Sequence, residues 1–363
     1  MGTPAIAAVS RTAGAPPVLE PVTVDDPRPG EVLVRLVATG ICHTDMVMRD
    51  GHLPVPMPVV LGHEGAGHVV AVGAGVSHVV PGDAVVLSFA SCGACPSCSA
   101  AAPAYCHEFV PQNFLATRPD GSTGLTDSAG PVHSHVFGQS SFATHCLALA
   151  RNTVKVDADL PLDLMGPLGC GFLTGAGAVF HALDVRPGDS LVVLGTGAVG
   201  MAAIMAAKIR GAGRIVAVDR AAARVELARS LGASEGVVAD GRPLAGHGLA
   251  GIDHVLDTTG HVPLIEQAIL TLAPRGQAGL LAAFAPGQSL SLDPAFIMSA
   301  GRVVRGIVEG SADPQVLIPQ LIAHWRAGRF PIERLTRFYP FAAIAEAIAA
   351  GESGAVIKPI VRM

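Results

Sequence analysis

A chain of 363 residues is long enough for about two domains, and its 50% hydrophobic content is ample for buried cores. Only 15% of the residues are charged, the net charge is -5, and no basic cluster appears, which excludes an electrostatic footprint for nucleic acid; no polybasic amphipathic stretch marks a membrane surface. Residues 1–30 show no basic segment followed by an apolar one, so no export signal is visible and a reducing cytoplasm is the expected location. The expected partners are small molecules and further copies of the same chain.

In chain order, EVLVRLVATG (31–40), HVVAVGAG (68–75) and AVVLSF (84–89) read as short strands. The Pro81-Gly82-Asp83 turn within VSHVVPGDAVVL sits between two strand-like runs, as in an antiparallel, barrel-like domain. The run SCGACPSCSAAAPAYC follows, with Cys92, Cys95, Cys98 and Cys106 at the spacing C-x2-C-x2-C-x7-C. One short lobe of that spacing wraps four thiolates around a single Zn²⁺ in a closed, structural site. A pair of disulfides is the alternative for a secreted loop, and the missing export signal argues against it.

From Ser190 the character changes, and strands alternate with helices: LVVLG, AVGMAAIMAAKIRG, RIVAVD, AAARVELARSLGA, IDHVLDTTG, LIEQAILTLAP and AGLLAAF. That order is a βαβ series and predicts a doubly wound parallel sheet with helices on both faces. The apolar stretch 191–207 is interrupted by glycines and lacks flanking anchors, which excludes a membrane span. Two helical patterns, PQVLIPQLIAHWRAG and FAAIAEAIAAGES, precede a terminal strand-like AVIKPIV.

The turn GTGAVG supplies Gly195, Gly197 and Gly200 as G-x-G-x-x-G. The pattern alone is weak in a chain with 43 glycines, but here it follows an apolar strand and opens a helix. The first glycine then allows the tight turn, the second lets the backbone approach a pyrophosphate, and the third packs helix on strand. Asp219 ends the next strand, where a carboxylate accepts ribose hydroxyls and repels a 2′-phosphate, favouring NAD over NADP. Cys42, His63 and Cys170 remain as a second candidate ligand set of the open, catalytic kind, although spacing alone does not assemble them. Cys146 reads as a small buried hydrophobe.

Gly62, His63 and Glu64, followed by Gly67, Gly73 and Val76, resemble the zinc signature of the medium-chain alcohol dehydrogenases. GCGFLTGAGA (169–178) is similar to the segment carrying that family's last catalytic ligand, and the four-cysteine lobe fits as well. The resemblance covers essentially the whole chain. It implies a mainly β, GroES-like catalytic domain over 1–171 and 308–363 and a Rossmann domain over 172–307. It also implies two Zn²⁺ per chain, one of them bound by Cys42, His63 and Cys170, and NAD as the hydride acceptor. Glu64 would be a transient ligand, Asp45 would orient His63, and Thr44 would receive the alcohol proton. His43 and Lys358 match positions that contact the NAD pyrophosphate, Arg224 one that reaches the adenosine ribose, and Thr174 and Val199 ones that hold the nicotinamide.

Within the family the chain is most similar to aryl-alcohol and allylic terpene-alcohol dehydrogenases through CHTDMVMRDGHLPVPMPVVLGHEGAG, FGQSSFATH and RGIVEG. By position, Leu53, Phe89, Val136 and Phe137 would line the substrate pocket. Two departures stand out. Val47 occupies the place where many relatives end the proton relay with a histidine. Val110 stands where thiol-adduct formaldehyde dehydrogenases hold a glutathione carboxylate with arginine, leaving only a different thiol carrier for that alternative. A non-catalytic NAD- and zinc-binding relative is the other rival, and the complete ligand set with Thr44 argues against it. Oligomers of the family usually pair Rossmann edge strands, so a homodimer or homotetramer is expected.

Overall fold

The computed structural model describes residues 2–284 and 287–363. The chain divides into two compact units. The first runs through Cys170 and takes in Asp313–Trp325 and Pro331–Met363; the second comprises Gly171–Ala312 and Arg326–Phe330.

The first unit is built on two sheets. Its larger sheet runs in the order Thr153–Val156, Ala84–Leu87, Gly65–Val72, Glu31–Gly40, Lys358–Arg362, Thr336–Pro340, with His145–Leu149 also paired to Glu31–Gly40. Glu31–Gly40 is buried along nearly its whole length, which is why it reads as a continuous apolar run rather than an alternating one. Val32, Val34 and Leu36 join Val69, Val85, Leu87 and Cys146 in one core. The last strand, Lys358–Arg362, pairs antiparallel with the end of that central strand, Ile360 against Gly40, so residue 358 arrives beside residues 41 and 42. The smaller sheet runs Val59–Val60, Thr3–Ser10, Val18–Val24, Leu125–Asp127, Gly130–Val132. The Pro81-Gly82-Asp83 turn forms, with the Val80 amide donating to the Asp83 carboxylate at 2.9 Å, but the run before it is irregular backbone whose Val79 is buried in the core.

The second unit carries a six-stranded sheet, parallel throughout, in the order Glu235–Val238, Arg214–Asp219, Ser190–Leu194, Ile252–Asp257, Leu272–Leu280, Val303–Gly306. The helix read over LIEQAILTLAP stops at Ile269, and the following strand already starts at Leu272 because a register shift against Ile252 and His254 accommodates the extra residues. This unit extends past the expected boundary at 307, since Gly310 packs on Gly177 so closely that a Cβ on Gly177 would lie 2.7 Å from its carbonyl oxygen. Residues 326–330 also belong here: Phe330 is fully buried and stands edge-on to Phe172 at 6.4 Å. No single helix among the described residues is long and apolar enough to cross a membrane.

One buried charge cluster braces the first unit. Arg118 donates from Nε to Glu31 at 2.7 Å, from Nη2 to the other Glu31 oxygen at 3.1 Å, and from Nη1 to Asp25 at 2.9 Å, while His135 lies 3.3 Å from Glu31. Burial pushes the Glu31 carboxyl up, but His135, Arg118 and the Arg28 amide together hold it well below its ordinary 4.5. A carboxylate depressed in the folded state contributes stability that is fully present above the unfolded value and is lost as pH falls through the folded one. Arg118→Met, which strips Glu31 of its fork, should therefore cost about 3–5 kcal/mol in urea unfolding at pH 7. The gap to the native protein should narrow below pH 4.5, where Glu31 can protonate in the variant; a gap unchanged between pH 7 and pH 4 would contradict this.

Candidate active site and metal centres

Cys42 precedes the helix His43–Arg49 and serves as its N-cap, and Asp45 in the first turn turns its carboxylate back toward that end. One Asp45 oxygen accepts from the Cys42 amide at 3.2 Å; the other accepts from the Gly62 amide at 2.9 Å and lies 2.8 Å from His63 Nδ1. Asp45 and His63 are both buried. A buried carboxylate is an acceptor, so it accepts the hydrogen bond from Nδ1–H and leaves Nε2 with its lone pair free to ligate. Nε2 is buried and has no hydrogen-bond partner among the described residues.

Close backbone packing brings the third group in. A Cβ on Gly166 would sit 2.1 Å from the Glu64 carbonyl oxygen, and one on Gly169 would sit 1.9 Å from that of Leu87. Only glycine permits these contacts, and the Gly166–Gly169 turn ends on Cys170. The Ser88 hydroxyl fixes the turn by donating to the Gly169 carbonyl at 2.6 Å. Gln139, which sequence reasoning missed, donates to the His63 and Ser88 carbonyls at 2.9 and 3.0 Å and accepts from the Gly65 amide at 3.1 Å.

The ligand atoms of Cys42, His63 and Cys170 all lie within 4.8 Å of one another. The two sulfurs are 4.0 Å apart, far from a disulfide and close to the edge of about 3.8 Å for a tetrahedron of thiolates around zinc. The Cys42 thiol is held well below its ordinary value, first by the hydrogen bond with Cys170 and then by His63 and Lys358, with burial opposing. The orphaned Nε2, the sulfur separation and the thiolate character together fit a divalent zinc with one coordination position open.

Cys92, Cys95, Cys98 and Cys106 form the second cluster, again with all ligand atoms within 4.8 Å. Their separations include 3.9 Å for Cys92 to Cys98 and 4.0 Å for Cys95 to Cys106, again tetrahedral rather than disulfide lengths. Backbone amides point at the sulfurs: Cys95 to Cys92 at 3.3 Å, His107 to Cys95 at 3.4 Å and Cys92 to Cys106 at 3.2 Å. The first of the causes on Cys95 is the His107 amide, and its thiol is pushed down to about 6. Four thiols leave no open position, so the chemistry of the donor set is structural.

Glu64 and Lys358 form a buried pair beside the first centre. Lys358 Nζ donates to both Glu64 oxygens, at 2.7 and 2.9 Å, and to the Ile41 carbonyl at 3.1 Å. Lys358 is 2% exposed and its three donors are directed at protein oxygens. The pairing of Lys358–Arg362 with the central strand turns it inward onto Glu64. Thr44 is half-buried with its hydroxyl 3.9 Å from Cys42 Sγ, and His43 is exposed at the helix start.

Phe137 stacks on the His63 ring at 4.3 Å with the planes 19° apart. Phe89 and Val136 are buried as well, and Leu53 is half-buried, its amide on the Val47 carbonyl. Phe137 holds a left-handed φ of 52°, between His135 at 70° and Ser140 at 54°. Non-glycine residues pay for that backbone, and the cost is offset by Asn152, whose amide donates to the Phe137 and Ser88 carbonyls, both at 2.9 Å.

In the second unit Gly195 adopts φ 86° directly after the strand Ser190–Leu194, and a Cβ on Gly200 would lie 1.9 Å from the Gly195 carbonyl oxygen. Space is open where a Gly197 Cβ would stand. Asp219 ends the next strand and accepts from the Thr196 amide and hydroxyl at 2.8 and 2.7 Å and from the Ala221 amide at 2.9 Å. Burial works to raise its carboxyl, but the Ala221 and Thr196 donors hold it below its ordinary value. Thr174 is buried with its hydroxyl 3.0 Å from Glu309, and its helix packs on the start of Ala198–Arg210, a Gly175 Cβ falling 2.0 Å from the Val199 carbonyl oxygen. Arg224 is half-buried in the helix Ala222–Leu231, close enough to act on the Asp219 charge.

Two family models match the chain, the alcohol dehydrogenase GroES-like domain over residues 28–158 and the zinc-binding dehydrogenase over residues 198–323. The geraniol dehydrogenase of Castellaniella defragrans is 46% identical over 98% of the chain and 96% of its own length. The chain belongs to the zinc-dependent medium-chain alcohol dehydrogenases. Its fold superposes on an alcohol dehydrogenase zinc-binding domain protein from Burkholderia ambifaria with a TM-score of 0.98, at 46% identity and full coverage of both chains. It likewise matches the benzyl alcohol dehydrogenase of Acinetobacter calcoaceticus with a TM-score of 0.96, at 40% identity over 99% of each chain. As a member of this family the chain is an oxidoreductase of small alcohols and aldehydes that uses zinc and a nicotinamide cofactor.

Asp45 holds one ligand by its ring and another by its backbone. Asp45→Ala should weaken binding at the Cys42 centre by about 10–100-fold, measured by zinc competition with a chromophoric chelator, while the four-cysteine centre retains its ion. Equal affinity in both proteins would remove Asp45 from this role.

Proposed function

We propose that this dehydrogenase converts primary aryl or allylic alcohols and their aldehydes with NAD, using two zinc ions per chain. The observation that carries the reading is the Phe137 ring stacked on His63, which sets an aromatic side chain against a ligand of the Cys42 centre. Such a face suits a flat conjugated group next to a primary carbinol. Two relatives, a geraniol and a benzyl alcohol dehydrogenase, support it from their names, since both alcohols place an sp² carbon beside the carbinol.

Zinc at the Cys42 centre, when bound, supplies Lewis-acid polarisation of the alcohol or carbonyl oxygen, and NAD supplies the hydride acceptor. The residues do the rest. Asp45 holds His63 in the tautomer that ligates, and Thr44 Oγ1 takes the alcohol proton beside Cys42. His43, exposed at the helix start, would meet the cofactor pyrophosphate, and Val47 has no exchangeable proton, so the relay ends without a histidine there. Lys358 neutralises Glu64 so that the dry pocket holds no uncompensated carboxylate. Asp219 receives the ribose hydroxyls and repels a 2′-phosphate, with Arg224 alongside. Thr174 and Val199 hold the nicotinamide ring. We further propose a homo-oligomer paired through the edge strand Val303–Gly306, where Val303 and Met298 are exposed.

Metal analysis should find two zinc ions per active chain. Cys42→Ser should give a folded, inactive protein with one, whereas Cys106→Ser should cost folded protein. One ion in freshly prepared active enzyme would refute the two-site reading. kcat/KM should favour NAD⁺ over NADP⁺ by at least about tenfold, and Asp219→Gly should shrink that ratio. Benzyl or geranyl alcohol should exceed ethanol in kcat/KM by about 10²-fold, and ethanol oxidised equally well would sink the substrate class.

A further inference from the structure

Phe137 is the end of a row. Phe114 meets it edge-on at 5.2 Å and 86°, Phe109 meets Phe114 at 6.0 Å and 66°, and Phe89 meets Phe109 at 5.9 Å and 49°. The offset and edge-to-face geometries are those that align ring edges with ring faces, so the four rings form one apolar wall that finishes on the His63 imidazole. Phe109 and Phe114 open and close the short helix Phe109–Phe114, which begins three residues after Cys106.

That helix has one fully buried residue, Asn113. Its Oδ1 accepts from the Ala90 amide at 2.9 Å, and its Nδ2 donates to the Ala90 carbonyl at 3.0 Å and to the Phe109 carbonyl at 2.7 Å. The amide thus binds both backbone groups of the residue next to Phe89, as a neighbouring strand would. At the other end the Cys92 amide donates to Cys106 Sγ at 3.2 Å, which ties the cysteine lobe to the same stretch of backbone. Neither Phe109 nor Phe114 is fully buried, so their rings are not committed to the core in the way that Phe142 and Phe172 are.

We infer that Phe114 is a specificity-determining residue for planar, conjugated alcohols, and that Asn113 is the positioning residue that presents it from the cysteine lobe to the Phe137–His63 stack. This deepens the aryl or allylic reading and rests on it. A flat ring or double bond next to the carbinol gains from a continuous aromatic wall, whereas a saturated ring of the same size fills the space without matching the quadrupoles.

The test is the ratio of kcat/KM for benzyl alcohol to that for cyclohexylmethanol, which share reach and carbinol and differ in conjugation. The native enzyme should favour benzyl alcohol. Phe114→Met, which keeps an apolar side chain of similar reach but removes the ring, should cut the ratio about fivefold, through KM for benzyl alcohol more than through kcat. Asn113→Ala should cut it in the same sense, with the Cys42 zinc retained and turnover of cyclohexylmethanol within about twofold of native. Phe114→Leu provides a second variant if the methionine form does not fold, and Phe114→Tyr should restore the ratio. A ratio preserved in folded Phe114→Met or Phe114→Leu protein would overturn the role of Phe114. Equal use of both alcohols by the native enzyme would overturn the aryl or allylic reading, and the role of Phe114 with it.

Discussion

The Asp45 carboxylate is the interaction on which the catalytic centre depends. It is fully buried, and its two oxygens take three donors: the Cys42 amide, the Gly62 amide and the His63 ring. One side chain therefore locks the backbone before one ligand, the backbone before another and the tautomer of the second. Burial makes the arrangement stringent, because a carboxylate shielded from water costs several kcal/mol unless its acceptor sites are filled. The helix His43–Arg49 can thus keep Cys42 at its cap only while the segment around Gly62 is in place. The two ligands are set by one electrostatic requirement rather than by two independent loops.

Around that hub, the remaining contacts are steric. Gly166 and Gly169 lie against the backbones of Glu64 and Leu87 at distances that no side chain tolerates, so Cys170 is brought to the centre by the absence of atoms as much as by attraction. Gln139, Ser88 and Asn152 then satisfy the carbonyls left exposed by this crowding and by the left-handed stretch at Phe137. The result is a first unit in which a metal site, its orienting groups and an aromatic face are all fixed by the same packed backbone.

What was legible in the sequence follows from how local each signal is. The cysteine lobe spans residues 92–106 and spacing alone carries it, the glycine turn at 195–200 gains its meaning from the apolar strand before it and the helix it opens, and the parallel sheet follows from alternating apolar runs. Cys42, His63 and Cys170 were readable only through a family resemblance, because 128 residues separate the first from the last and no local rule joins them. The Lys358–Glu64 pair escaped sequence reasoning for a related reason. The contact is made across 294 residues by strand pairing, which a count along the chain does not register. Phe109 and Phe114 were invisible because an apolar residue in a short loop helix looks like ordinary core until ring geometry is known.

The Lys358–Glu64 pair also bears on the order in which the centre matures. All three ligands have been synthesised once residue 170 emerges, yet the buried Glu64 carboxylate lacks its counter-charge until Lys358–Arg362 adds to the sheet. Contacts of such high sequence separation form late, since loop-closure entropy must be met before they are rewarded. Until that strand pairs, the ligand set would therefore stand beside an uncompensated acid, and a settled metal environment depends on a strand far from every ligand in sequence.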